Sequence, residues 1–528
     1  MAIALTSLNC KYIHPNMALR ILANELRENN IAHDVKEYTI KHEVAAIVAE
    51  LAAYDIIACS CYIWNIELIK EVIKSLKKID AQKIIILGGP EVSYLNRAEL
   101  IAFACDYIVC GEGENVFKKL IAALLNKEPF KADCVIDMTR QVFHNTLNVV
   151  STAYFARYTN DFTALDLTNQ IAYLETARGC PYQCAYCLAS LDNKIRALPL
   201  AVVFAKISYL LNHNARTIKL LDRTFNFNEC RANQIISYIL AHDNKISTFQ
   251  FEVTGELLPE STIALLNNSR PGLFRLEIGI QSINEKANEA VCRYQNIDQL
   301  VNNIKKLTTA ASVALHLDLI AGLPYDDLSS FKETFNFVFG LKAAEIQLGI
   351  LKLLHGTKLN ALVAEYDYVF AKRAPYQLLA NRFLTAAELS IIEQAEKGVQ
   401  RYYNSAKANE VVFHLITKYS LNAFDFFYAL GQDVDSVKQL AQLYMRLTPY
   451  LKDEEDYVCF YNNYYVNSRI RLQALSKIAA KKEILKRLNE LKLIEQNTLY
   501  RYCNLERVAA NCYYLKDFLN DRYYVVKI

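Results

Sequence analysis

Arg178-Gly179-Cys180-Pro181-Tyr182-Gln183-Cys184-Ala185-Tyr186-Cys187 is the stretch from which the rest of the chain is read. Its three cysteines stand in a C-x3-C-x2-C spacing on one short loop. Three thiolates so placed can hold three irons of a cubane [4Fe–4S] cluster, whereas a ferredoxin supplies four and closes the site. The fourth iron is then left for a small molecule, which points to chemistry at the metal rather than electron storage alone. The competing reading is a structural zinc site completed by a distant histidine. Zinc loops favour paired C-x2-C units with a second half-site, and none is visible here.

Working outward, 528 residues suffice for roughly two to four domains. A 53% apolar content supports real cores and argues against disorder. The net charge of +3, from 59 basic and 56 acidic residues, gives no chain-wide electrostatic case for nucleic acid. No run approaches 18 apolar residues, so no membrane helix is expected, and Met1–Asn9 lacks the basic segment and cleavage site of a secretory signal. The 14 cysteines are scattered and read as reduced thiols of a cytoplasmic protein. An open-iron cluster is oxygen-sensitive, which suggests an anaerobic or well-reduced host.

Before the cysteine loop, residues 1–125 alternate short apolar runs with helical patterns. Ile3–Leu8, Asp34–Tyr38, Asp55–Ser60, Ile84–Gly88 and Tyr107–Cys110 read as strands; Met17–Asn29 and Ile66–Ile79 read as helices. This predicts an α/β, doubly wound parallel sheet with ligands beyond the carboxyl ends of its strands. Those ends carry Asn9-Cys10-Lys11-Tyr12, Ser60-Cys61-Tyr62-Ile63-Trp64-Asn65, Gly88-Gly89-Pro90-Glu91 and Gly111-Glu112-Gly113-Glu114. The glycines are expected to let a ligand approach the backbone, and the three glutamates argue against a bare phosphate. Residues 126–170 read as a linker.

Over 171–357 the alternation returns, with strands at Ile171–Thr176, Thr217–Leu221, Thr248–Val253, Leu273–Ile280, Val313–Ile320 and Glu345–Leu351. Six such units predict a partial parallel barrel whose functional residues sit at the carboxyl ends of the strands. The cysteine loop follows the first strand and so lands on that face. Residues 358–528 read as a mainly helical domain with a tyrosine cluster, Tyr461-Asn462-Asn463-Tyr464-Tyr465. A basic amphipathic stretch there, Arg469 to Arg487, is a solvated face or a docking surface for an acidic partner or RNA. Tyr523–Ile528 reads as an edge strand.

The cysteine motif, with an aromatic residue before its third cysteine, resembles the signature of the radical S-adenosylmethionine (SAM) superfamily. Leu276-Glu277-Ile278-Gly279-Ile280-Gln281-Ser282, Arg293 and Asp318-Leu319-Ile320-Ala321-Gly322-Leu323-Pro324 resemble its later barrel strands. The N-terminal region resembles a cobalamin-binding domain of Rossmann or flavodoxin type. The combination resembles the B12-binding-domain radical SAM proteins, in a subgroup with an uncharacterised C-terminal domain; Leu221-Asp222-Arg223-Thr224-Phe225-Asn226 also fits that subgroup.

The resemblance implies that Cys180, Cys184 and Cys187 hold the cluster and that its open iron chelates SAM. One-electron reduction then breaks SAM into methionine and a 5′-deoxyadenosyl radical. Glu252 matches a position that holds the methionine end, and Arg293 one that pairs with the SAM carboxylate. Gln281 and Asp318 match ribose-binding positions, Tyr186 presents its backbone to adenine, and Gly322 permits close approach. Taken singly, these are a surface carboxylate, a backbone partner and a structural ion pair; their order along the barrel joins them. Asp222 and Arg223 are candidates to touch substrate or SAM, or to form a structural network. The D-x-H-x-x-G loop of many cobalamin domains is absent, since His14 leads to Pro-Asn-Met. Cobalamin is therefore implied without a protein histidine ligand. Its tail would lie in a cleft lined by Ser60, Gly88, Gly89, Pro90, Gly111 and Gly113. Tyr62 and Trp64 pack on the corrin or stay core aromatics.

The implied reaction is methyl transfer to an unactivated carbon of a small molecule, with an electron donor such as flavodoxin or ferredoxin. The rivals are a cobalamin-linked cyclisation or rearrangement, tRNA methylthiolation, and a non-catalytic iron–sulfur electron carrier. Methylthiolation would need a second three-cysteine set; Cys10 and Cys59 or Cys61 sit near two such positions, and Gly88-Gly89-Pro90 stands at the third.

Overall fold

The computed structural model describes residues 1–143, 146–152, 154, 162–468, 482–495, 498, 503–509 and 512–527. The chain divides into two compact units: Met1–Thr334 with Leu341–Ala343 and Gly349–Leu389, and Phe335–Gly340 with Ala344–Leu348 and Ser390–Ile528.

In the first unit, β1 (Ile3–Asn9), β2 (Asp34–Thr39), β3 (Ile56–Ser60), β4 (Ile84–Gly88), β5 (Tyr107–Val109) and β6 (Val135–Asp137) form one sheet. Its order is β2-β1-β3-β4-β5-β6. β1 to β5 run parallel, and β1 and β3 are buried along their whole length, as strands covered on both faces must be. The helix Ile66–Ile79 covers one face through Ile66, Ile69, Val72, Ile73 and Leu76, a stripe at helical spacing. Each such fully buried aliphatic side chain contributes about 1.5–3 kcal/mol. The helix Met17–Glu28 starts at Asn16, whose side chain accepts from the Leu19 amide. Asn16 Nδ2 also donates to Ser7 Oγ (3.0 Å) and Ser60 Oγ (3.1 Å), pinning the ends of β1 and β3 together. The chain order reverses between β1 and β3, which is where a doubly wound sheet opens a crevice for a ligand.

The expected linker is in part structure. β6 pairs antiparallel with β5, and Asn148 bridges to Gly111. Only Val135 and Ile136 of β6 are apolar, too short a run to stand out from the sequence.

The barrel strands follow as β7 (Ala172–Leu174), β8 (Ala177–Arg178), β9 (Arg196–Ala197), β10 (Thr217–Leu220), β11 (Thr248–Val253), β12 (Phe274–Gln281), β13 (Ala314–Ala321) and β14 (Glu345–Ile350). Six of them form an open sheet, β7-β10-β11-β12-β13-β14, with the pairs from β7 to β13 parallel. Neighbours in space are neighbours in sequence, as successive right-handed strand–helix–strand crossovers produce. β8 and β9 pair antiparallel outside it. A small hairpin, β15 (Val369–Phe370) and β16 (Leu378–Ala380), follows the barrel.

The second unit carries helices including Asn409–Lys418, Ala423–Gly431 and Glu454–Asn467. It also holds a three-stranded antiparallel sheet, β17 (Cys503–Ala509), β18 (Cys512–Asp517) and β19 (Arg522–Lys527). The terminal strand was expected; its two partners were not. Tyr465 packs with Cys512 and Tyr514 in a buried cluster joined by Tyr461 and Tyr464, so the tyrosine run is the core between helix and sheet. Of the basic stretch, residues 469–481 lie outside the described residues. Among the described residues no helix is long and apolar enough to cross a membrane.

Candidate functional site

β8 and β9 are the two stems of the cysteine loop, pairing Arg178 with Arg196. Gly179 lies between stem and loop at φ +90°, and a Cβ there would overlap the Lys194 carbonyl, so only glycine lets the stems close. The Cys180 amide donates to the Asp192 carbonyl (2.9 Å), and the Cys187 amide to the Cys184 carbonyl (3.1 Å). Cys180 and Cys184 are buried and Cys187 is half-buried. Burial pushes the Cys187 thiol up, and the neighbouring Cys184 and Cys180 add to that. A zinc ion at about 2.3 Å from each sulfur would draw its ligands around one point. No such group of three His, Cys, Asp or Glu side chains exists among the described residues. A cubane carries its thiolates on separate irons, spread more widely.

Arg293 reaches this loop. Its Nη1 lies 3.7 Å from Cys184 Sγ and 3.5 Å from the Tyr186 hydroxyl, and its Nη2 donates to the Gly279 carbonyl. Its Nε is buried with no hydrogen-bond partner among the described residues. Tyr186 thus meets Arg293 through its hydroxyl, a contact the sequence did not suggest. Gln281 ends β12 at φ +67°, and its Oε1 is buried without a partner among the described residues. Gly279 lies opposite Asp318 and Glu277 opposite Glu252 in the strand register, so these residues share one barrel face. Asp318 Oδ1 stands 3.1 Å from His316 Nε2. Burial raises the Asp318 carboxyl, and His316 opposes the rise. Burial likewise raises Glu252, opposed by the Arg223 guanidinium at 3.8 Å. A cationic ligand beside Glu252 would oppose that rise further. Orphaned donors and acceptors beside the cysteine loop fit a ligand with a carboxylate, an ammonium and vicinal hydroxyls, which is the polar inventory of SAM.

Two expectations for this region change. Gly322 has φ +101°, but a Cβ there would overlap Leu378 Cδ2. Its carbonyl accepts from Tyr368 Oη (2.9 Å) and Asn381 Nδ2 (3.0 Å). The close approach that requires this glycine is therefore made by the chain's own hairpin. Asp222 is buried and its carboxylate accepts from the Thr176 amide (2.7 Å) and from Thr176 Oγ1. It ties the end of β7 to the end of β10, the structural alternative rather than a substrate contact. Burial pushes its carboxyl up to about 6 despite those hydrogen bonds. Arg223 is exposed and turns to Glu252.

At the N-terminal sheet the glycines are also used internally. A Cβ on Gly89 (φ +109°) would stand 2.5 Å from the Cys61 carbonyl, one on Gly111 (φ +84°) 2.5 Å from the Asn148 carbonyl, and one on Gly113 3.3 Å from Leu22. At Gly89, Gly111 and Gly113 the space a side chain would take is thus occupied by the chain itself. Gly88 meets only the Val109 carbonyl, at 3.7 Å, and Pro90 opens the short helix Pro90–Ser93. Tyr62 and Trp64 stack with ring centroids 4.4 Å apart and planes 5° apart. Trp64 remains 42% exposed, so it is not a core aromatic. This flat apolar pair stands beyond β3 at the sheet's crevice, next to Ser60, and suits a planar macrocycle. His14, in the loop after β1, is hydrogen-bonded through Nδ1 to Tyr173 Oη at 2.6 Å.

Sequence reasoning missed two features. Lys219 projects from buried strand β10 to Glu277 (3.0 Å), which also accepts from Gln250 (2.8 Å), giving the barrel a charged interior layer. A lysine inside the apolar run Thr217-Ile218-Lys219-Leu220 was the available signal. The second is that Glu112 and Glu114 pair with Arg178 and Arg196.

Residues 5–121 match the B12 binding domain, 174–338 the Radical SAM superfamily, and 364–513 a protein family of unknown function (DUF4080). The chain is similar to an uncharacterized methyltransferase of Pyrococcus horikoshii, PH0819, at 24% identity over 65% of this chain and 77% of that one. It is similar to the cobalamin-dependent radical SAM methyltransferase TokK of Streptomyces tokunonensis at 23% identity, over 53% of this chain and 44% of that one. Among solved structures, TsrM from Kitasatospora setae, a radical SAM methyltransferase with cobalamin and a [4Fe-4S] cluster bound, matches with TM-score 0.56 and 15% identity, covering 69% of this chain and 74% of that one. The cobalamin-dependent SAM radical enzyme OxsB, with aqua-cobalamin and SAM bound, matches with TM-score 0.58 and 14% identity over 94% and 76%. At these identities the structural matches show the shared fold.

Proposed function

We propose that this chain, with its matches to the B12 binding domain, the Radical SAM superfamily and DUF4080, methylates an unactivated carbon of a small molecule. One observation carries the reading: Arg293 and Gln281 meet over Gly279, each with a buried polar atom lacking a hydrogen-bond partner among the described residues, opposite Asp318 in the strand register, and Arg293 stands 3.7 Å from Cys184 Sγ. When bound, the cluster supplies an electron at low potential, SAM the radical precursor, and cobalamin the methyl group.

The chain's own residues do the rest. Cys180, Cys184 and Cys187 ligate three irons. Arg293 pairs with the SAM carboxylate, and its hydrogen bond to the Gly279 carbonyl fixes the fork. Glu252 takes the ammonium, while Gln281 and Asp318 accept from the ribose hydroxyls. Trp64 and Tyr62 offer a flat face to the corrin, with no histidine assigned to the cobalt. A flavodoxin- or ferredoxin-type donor would reduce the cluster. TsrM has been solved with tryptophan substrate and a SAM analogue bound; a polar small molecule likewise suits the charged layer of Lys219, Glu277 and Gln250.

The test is anaerobic reconstitution of the full chain with iron, sulfide and cobalamin, followed by reduction with dithionite or a flavodoxin system and addition of SAM labelled in its methyl group. The label should pass first to cobalamin and then to a small molecule of cell extract. Label that never leaves SAM would refute the proposal.

A further inference from the structure

Both stems of the cysteine loop are gripped by the N-terminal sheet. Glu112 meets Arg196 two-pronged, Oε1 to Nη2 at 2.7 Å and Oε2 to Nη1 at 3.0 Å, and lies 3.3 Å from Arg178 Nη1. Glu114 lies 2.7 Å from Arg178 Nη2. Glu175 and Asp192 complete the cluster at 2.9 Å from Arg178 and 2.6 Å from Arg196. Both arginine side chains are only 12% exposed, so each depends on these carboxylates for compensation. Burial pushes the Glu112 carboxyl up, but Arg196 and Arg178 outweigh it and hold the group below its usual range. Four carboxylates face two guanidiniums at the root of the loop, and the buried Lys206 also faces Glu175.

We propose that Glu112 and Glu114 are positioning residues for the iron–sulfur cluster. The loop that follows β5 clamps the entry and exit of the cysteine loop, so the sheet read as the cobalamin site also sets the rigidity and the electrostatics of the cluster loop. The inference rests on the reading that Cys180, Cys184 and Cys187 hold a cluster. Arg178 and Arg196 act as the jaws, and Gly111, at φ +84°, lets the chain turn into the segment that presents both glutamates.

The experiment compares reconstituted wild type, Glu112→Gln, Arg196→Lys and Asp106→Asn. Asp106→Asn cuts a comparably buried pair, Lys77–Asp106 at 2.8 Å, in the same sheet but away from the loop. Iron loss to a ferrous chelator is followed at fixed temperature, with the cluster's midpoint potential. Glu112→Gln should lose iron about tenfold faster than wild type, the scale of losing an outer partner of a metal site. Its potential should move positive, because a negative charge is removed. Arg196→Lys, which keeps the charge but not the fork, should also lose iron faster, and it carries the test if Glu112→Gln does not fold. Asp106→Asn should match wild type. Wild-type rates in Glu112→Gln and Arg196→Lys, or equal acceleration in Asp106→Asn, would overturn the clamp while leaving the cluster in place. A wild-type chain that takes up no iron would overturn the cluster reading and the clamp with it.

Discussion

Replacing Gly279 with alanine should weaken SAM binding while leaving the fold nearly intact. The glycine lies in β12 at an ordinary strand conformation, so alanine imposes no backbone strain. Its new Cβ would overlap Gln281 Nε2 and stand 3.3 Å from Arg293 Nη2. Both neighbours are the far ends of flexible side chains and can swing away. Doing so removes them from the positions assigned to the ribose and the carboxylate. A hydrogen bond to a charged group contributes about 1.5–3 kcal/mol. At about 1.4 kcal/mol per tenfold, losing one such contact raises the SAM Kd about 10- to 150-fold. Equilibrium binding of SAM to the reconstituted chain measures this directly, and urea unfolding should show a change within about 1 kcal/mol. An unchanged SAM Kd would refute the assignment of Gln281 and Arg293, since their displacement would then have removed nothing.

Three further predictions follow from the same geometry. Cys187→Ala should fold yet fail to retain the wild-type iron content through gel filtration, because only two protein ligands remain on the loop. Gly322→Ala should lower stability by about 2–4 kcal/mol through left-handed strain and overlap with Leu378; adding Leu378→Ala should recover the overlap but not the strain, read by urea midpoint. Burial raises Asp222 to about 6 from an ordinary 3.8, so the folded chain binds this proton more tightly than the unfolded chain. The stability it contributes is full below about pH 4 and lost as pH rises through 6, on the order of 3 kcal/mol. Asp222→Asn should flatten that slope in urea titrations across pH 4–7; a slope identical to wild type would refute the assignment.

What the sequence made legible was whatever repeats with a period. The parallel strands of both sheets stand out because each is a buried run between helical stripes, whereas Glu252, Gln281 and Asp318 were assigned only through the resemblance to the radical SAM superfamily. A glycine is different: it reports that space is needed without saying what fills it. Gly89, Gly111 and Gly322 were read as room for ligands; in the structure a side chain at each would meet Cys61, Asn148 and Leu378. Glu112 and Glu114 were read as facing a ligand because their partners, Arg178 and Arg196, lie more than sixty positions away in the chain. β6 is three residues long, and β17 and β18, at Cys503–Ala509 and Cys512–Asp517, carry charged residues within their short apolar runs and give no clean strand alternation. Long-range pairing of that kind leaves no local mark.

The vacant iron corner is tested most directly by electron paramagnetic resonance of the dithionite-reduced, anaerobically reconstituted chain, with and without SAM. The account predicts about four irons per chain and a cluster spectrum that changes when SAM is added, a change that Arg293→Ala weakens. A spectrum indifferent to saturating SAM, or three thiols carrying a single zinc ion, would contradict it.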